Sequence, residues 1–101
     1  LITVTRSDSE ITIQGHAGYA PPGQDIVCAA ISALTQTFIL SVEELTTDKI
    51  KYDIRPGMAY ITYEDLSERG QVLLDSLFIG IHAIADDYSD HIRIIAQARK
   101  A

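Results

Sequence analysis

The chain has 101 residues, 47% hydrophobic and 22% charged, the composition of one globular domain with a single core and room for one site. Fourteen Asp and Glu against eight Lys and Arg leave a net charge of −6, which argues against a phosphate-gripping surface and for a basic partner, so no direct nucleic-acid partner is expected. The single cysteine excludes an internal disulfide and suits a reducing, cytoplasmic setting.

Residues 2 to 6 and 10 to 14 alternate apolar and polar, with Ile2 and Val4, then Ile11 and Ile13, on one face of a hairpin turned at Ser7-Asp8-Ser9. Because residues 1 to 7 already read as a strand, no signal peptide is expected there. Apolar positions Ile31, Leu34, Phe38, Val42 and Leu45 recur at helical spacing from Asp25 to about Leu45, and Ala29, Ala30 and Ala33 would allow close approach of neighbours. A second hairpin follows, with Ile50, Tyr52 and Ile54 alternating before the Arg55-Pro56-Gly57 turn and Ala59, Ile61 and Tyr63 after it. Ser67 can cap a second helix ending near Asp87, whose apolar face carries Leu74, Leu77, Phe78, Ile81, Ile84 and Tyr88, and in which Gly70 and Gly80 admit a close neighbour. Residues 91 to 97 read as a last strand with Ile92, Ile94 and Ala96 inward. The ββαββαβ order implies an α+β, two-layer sandwich: one domain over residues 1–101, with a sheet of about five strands and two helices on one face. Polar residues break each apolar run short of the eighteen or so residues of a membrane span, so no membrane partner is expected. Exposed sheet edges could pair with a second subunit or accept an extended peptide.

Between the first hairpin and the first helix runs QGHAGYAPPGQDIVC, residues 14 to 28. Asp25 is a good N-cap, making Ile26, Val27 and Cys28 the first helical residues and setting the thiol among helix-start amides that favour an anion and could form an oxyanion hole. His16, twelve residues earlier, can reach the sulfur if the loop folds back, and would then serve as the base for a thiolate nucleophile. Taken alone, a helical cysteine among alanines is more often an inert small hydrophobe, and a single histidine more often a satisfied structural one. Asp25 is a cap in any reading, and its functional part would be to hold the loop and helix together. Ser32, one turn after Cys28, could support the thiolate or bond back to the Cys28 carbonyl. Gly15, Gly18 and Gly23 either make turns or give the loop room to open, while Pro21 and Pro22 stiffen it; Tyr19 is the one tyrosine placed to touch a substrate. His82 and His91 have no metal-ligand spacing around them and read as structural, so no metal and no cofactor is expected.

The runs GHAGYA, DIVCAAISAL and IADDYSDHIRI together resemble the ribosomal-processing cysteine protease family, known as Prp. The family's Gly-His pair and its Asp, Cys and Ser at a helix start match Gly15, His16, Asp25, Cys28 and Ser32. The resemblance implies a homodimeric endopeptidase with a Cys-His pair that trims the N-terminal extension of ribosomal large-subunit protein twenty-seven, so its substrate partner would be that ribosomal protein precursor. The implied peptide is apolar and aromatic with a basic tail, which suits an acidic surface. The rival reading from another class is a non-catalytic dimeric peptide-binding module associated with ribosome assembly, in which Cys28 is buried.

Overall fold

The alternating segments become strands because one face of each can be buried while the other stays wet. A computed structural model describes residues 1–96. In it β1 (Ile2–Arg6) and β2 (Glu10–Gln14) form an antiparallel hairpin, as do β3 (Ile50–Arg55) and β4 (Met58–Tyr63). β2 pairs antiparallel with β4, and β5 (Ile92–Ala96) runs parallel to β1, giving a mixed five-stranded sheet in the order β3-β4-β2-β1-β5. The register sets Val4 opposite Ile13 and Ile11 opposite Ile61, which gathers the apolar side chains on one face. α1 (Ile26–Leu45) and α2 (Glu68–Asp87) pack together and complete the core, with Val27, Ile31, Phe38 and Val42 from the first and Leu74, Leu77, Phe78 and Ile81 from the second.

Both helices start where their caps dictate. Asp25 accepts from Val27 N and Cys28 N, and Ser67 Oγ accepts from Gly70 N. Asp48 in turn accepts from the Ser67 amide and hydroxyl, and a Cβ on Gly70 would overlap its carboxylate, so only glycine lets the helix start come this close. Gly80 does the same for the helix pair: a Cβ there would lie 3.0 Å from Leu34 Cδ1. α1 has the length and mean hydropathy, 1.7, to cross a membrane by composition alone, yet one of its faces is part of the core of this sheet.

Some apolar alternation is not buried. β3 is an edge strand, so Tyr52 and Ile54 stay exposed although they share a face with buried Ile61 and Ala59. Ala96 shares the face of Arg6 yet is exposed at the strand's end, and residue 97 lies outside the described residues. Ala29 and Ala33 face outward, with the close helix contact made by Leu34 instead; His82 is exposed on α2. Truncating Leu74, which is buried on the core face of α2, leaves a cavity. Leu74→Ala should destabilise the fold by about 2–5 kcal/mol in denaturant titration, whereas Ile79→Ala, on the exposed face, should cost far less.

Candidate active site

The loop from Gly15 to Gln24 returns onto the start of α1 because one carboxylate ties both segments. Asp25 Oδ1 accepts from Val27 N and Cys28 N, each at 3.0 Å, and Oδ2 accepts from Tyr19 N at 3.0 Å and Ala20 N at 3.4 Å. The Cys28 amide does most to hold the Asp25 carboxyl below the usual carboxylate range; partial desolvation opposes it, and the Ala20, Tyr19 and Val27 amides add to it. Asp25 thus joins the loop to the helix start through four hydrogen bonds.

The same bonds correct the expectation that Cys28 lies among free helix-start amides. Those of Val27 and Cys28 are taken by Asp25, and that of Ala29 donates to the Asp25 carbonyl at 3.1 Å. The amide aimed at the sulfur comes from the loop instead: Ala17 N donates to Cys28 Sγ at 3.3 Å. Cys28 is half-buried and Ala17 fully so, so this contact is shielded on the protein side.

His16 is exposed, and its imidazole rests on the β3–β4 turn, where a Cβ on Gly57 would lie 2.8 Å from Nε2. Gly57 has φ +74, and its carbonyl accepts from Gly15 N at 2.8 Å, so the turn supports both members of the Gly-His pair. Gly15 itself has φ +97, and any Cβ there would overlap the Leu1 carbonyl. His16 and Cys28 line one cleft of ≈ 130 Å³ together with Ser32, Thr35, Ile54 and Met58. The imidazole and the sulfur share this cleft without a hydrogen bond between them. On the loop side, a second and more apolar cleft runs from His16 and Cys28 past Gly18, Pro22 and Gly23 to Ile26. Ser32 is exposed in both clefts and does not bond back to the Cys28 carbonyl, whereas Thr35 does make the equivalent bond, to Ile31 O.

Three contributors were not legible as site residues: Ala17 acts through its backbone, Gly57 through its lack of a side chain, and His91 from 74 residues away, its Nδ1 2.8 Å from Ala17 O. Tyr19, expected to face substrate, stands edge-on to Tyr88 and His91, with ring centroids 5.4 and 5.5 Å away. Among the described residues no group of three or more His, Cys, Asp or Glu is placed to hold a metal ion.

The sequence profile of the family described as Cysteine protease Prp matches residues 2–93. The chain belongs to this family. Among its relatives, the ribosomal processing cysteine protease Prp of Mycoplasma genitalium is 31% identical over 97 residues, covering 93% of this chain and 94% of that one. The Staphylococcus aureus protein of the same name is 28% identical over 89 residues, covering 85% and 84%. The fold agrees with that of solved Prp structures: the S. aureus protease in complex with a covalently linked product peptide superposes with a TM-score of 0.86 at 23% identity, covering 95% of this chain and 97% of that one. The same protease in complex with a substrate peptide gives 0.80 at 22% identity and the same coverage. The family's relatives are thus cysteine proteases with ribosomal processing in their names.

Two outcomes follow for the junction. Asp25→Asn keeps an acceptor for the helix amides but sets an NH₂ against the donors of Tyr19 and Ala20, so helix content should hold by circular dichroism while amide exchange in residues 17–24 quickens. A carboxyl whose pKa is depressed on folding stabilises the folded state above its unfolded range, and this contribution is lost as pH falls through the lowered folded value. The amide NMR shifts of Tyr19, Ala20, Val27 and Cys28 should therefore titrate together, with one midpoint below the usual carboxylate range.

Proposed function

We propose that the chain is a cysteine endopeptidase that removes the N-terminal extension of ribosomal large-subunit protein twenty-seven. Cys28 is the nucleophile and His16 the base. The observation that carries this reading is the placement of Cys28 Sγ: it is half-buried in the first turn of α1, is met by the Ala17 N–H, and opens to a cleft that His16 also lines. The helix dipole and the Ala17 donor both favour negative charge on the sulfur, and the exposed imidazole lines the same cleft.

In this mechanism His16 takes the thiol proton as Cys28 Sγ bonds to the peptide carbonyl carbon. The C–N bond then breaks as the imidazolium gives its proton to the departing amine, leaving a thioester. His16 next takes a proton from water, whose oxygen attacks the thioester carbonyl and expels the sulfur, freeing the carboxylate product. Ser32, Gly18 and Gly23 border the path of the peptide, Tyr19 backs the loop from beside Tyr88 and His91, and Gly15 and Asp25 hold the elements that carry the pair. The net charge of −6 suits a substrate with a basic tail. We place the enzyme in the cytoplasm, which its single cysteine suits, and as a homodimer, as the likeness to Prp implies; exposed Tyr52 and Ile54 on the edge strand β3 are apolar enough to favour self-association.

Incubated with the ribosomal protein precursor, the unmodified protein should give a single truncation by intact mass, and Cys28→Ala and His16→Ala should each give none while melting as the parent does. Normal cutting by either variant would overturn the assignment. Binding without truncation by the unmodified protein would instead favour a peptide-binding module.

A further inference from the structure

His91 precedes β5 and is fixed by its own backbone, with its amide donating to Tyr88 O and its carbonyl accepting from Ile2 N, each at 2.9 Å. Its ring is half-buried, and its Nδ1 lies 2.8 Å from Ala17 O. A carbonyl oxygen can only accept, so this nitrogen carries the hydrogen, and the bond holds whether or not the other ring nitrogen is protonated. Ala17 is thus gripped through its carbonyl by His91 while its amide points at Cys28 Sγ at 3.3 Å. The loop segment here has no regular secondary structure of its own, and Gly18, with φ +70, follows at once, so local conformation alone does not fix where the Ala17 amide points. Tyr19 closes the arrangement by standing edge-on to both His91 and Tyr88.

We infer that His91 is a positioning residue for the nucleophile: by holding the Ala17 carbonyl, it keeps the Ala17 N–H on the sulfur of Cys28. It acts through the loop backbone and touches no reacting atom. The inference rests on the reading of Cys28 as the nucleophile and adds a residue from the far end of the chain to the site.

Two variants separate the hydrogen bond from the packing. His91→Phe keeps an aromatic ring beside Tyr19 but removes the donor; His91→Asn removes the ring but offers an N–H close to where Nδ1 stands. Alkylation of Cys28 by iodoacetamide at neutral pH should slow about tenfold in His91→Phe, the scale of one hydrogen bond to a charged group, and return close to the parent rate in His91→Asn. Melting temperature followed in parallel reports the packing separately. An unchanged rate in His91→Phe, or an equally slow rate in both variants, overturns the inference. Cleavage of the ribosomal protein precursor by the parent protein, measured beside these rates, distinguishes that result from failure of the catalytic reading. A parent Cys28 that alkylates no faster than an ordinary thiol overturns that reading, and this inference with it.

Discussion

One carboxylate decides where the loop and the first helix meet. Asp25 receives two amides from the helix start and two from the loop, so the residue that begins α1 also fixes the course of the chain before it. An uncapped helix start leaves several N–H groups without partners, and a ten-residue loop rich in glycine has many conformations to lose on ordering. Answering both needs with one charged acceptor confines the sulfur, the Ala17 amide and the cleft to a single arrangement. The consequence is chemical as well as structural: with the Val27 and Cys28 amides committed to Asp25, the hydrogen bond to the sulfur comes from the loop.

The sheet supplies the second constraint. β2 lies between β1 and β4, so the residue pair that leaves β2, Gly15-His16, emerges beside the β3–β4 turn. The bond between Gly15 N and Gly57 O is a continuation of that sheet pairing, and it brings the imidazole down on a position where any side chain would collide with it. Glycine at residue 57 is therefore required twice, by its left-handed backbone and by the ring above it. The exposed apolar residues of β3 border the same end of the molecule, since Ile54 lines the cleft that holds Cys28.

Most of this architecture was readable from residue order. Alternation gave all five strands, helical spacing gave α1 and α2, and Asp25 and Ser67 marked the helix starts to the residue. His16 and Cys28 were legible because their side chains carry recognisable chemistry. What stayed hidden has a common cause. Strand order, the burial that Tyr52 and Ile54 lack, the sulfur's backbone donor and the ring over Gly57 all depend on which segments lie side by side, and a periodic pattern records only which face a residue takes. His91 carried the right chemistry but, in sequence, stood among residues that gave it nothing to act on.

The parallel pairing of β5 with β1 has a kinetic consequence. The two strands are far apart in sequence, and Ile2 opposite Ile92 is a contact that closes all the residues between them into one long loop. Contacts of such span form late, after the local hairpins and helices that shorten the effective distance between them. During synthesis the hairpin β1–β2 and helix α1, with Cys28 already on it, emerge well before the residues that grip Ala17. A chain made from its N-terminal side thus exposes its thiol before its loop can be clamped, and the arrival of β5 marks the point at which a collection of folded pieces becomes a single closed structure.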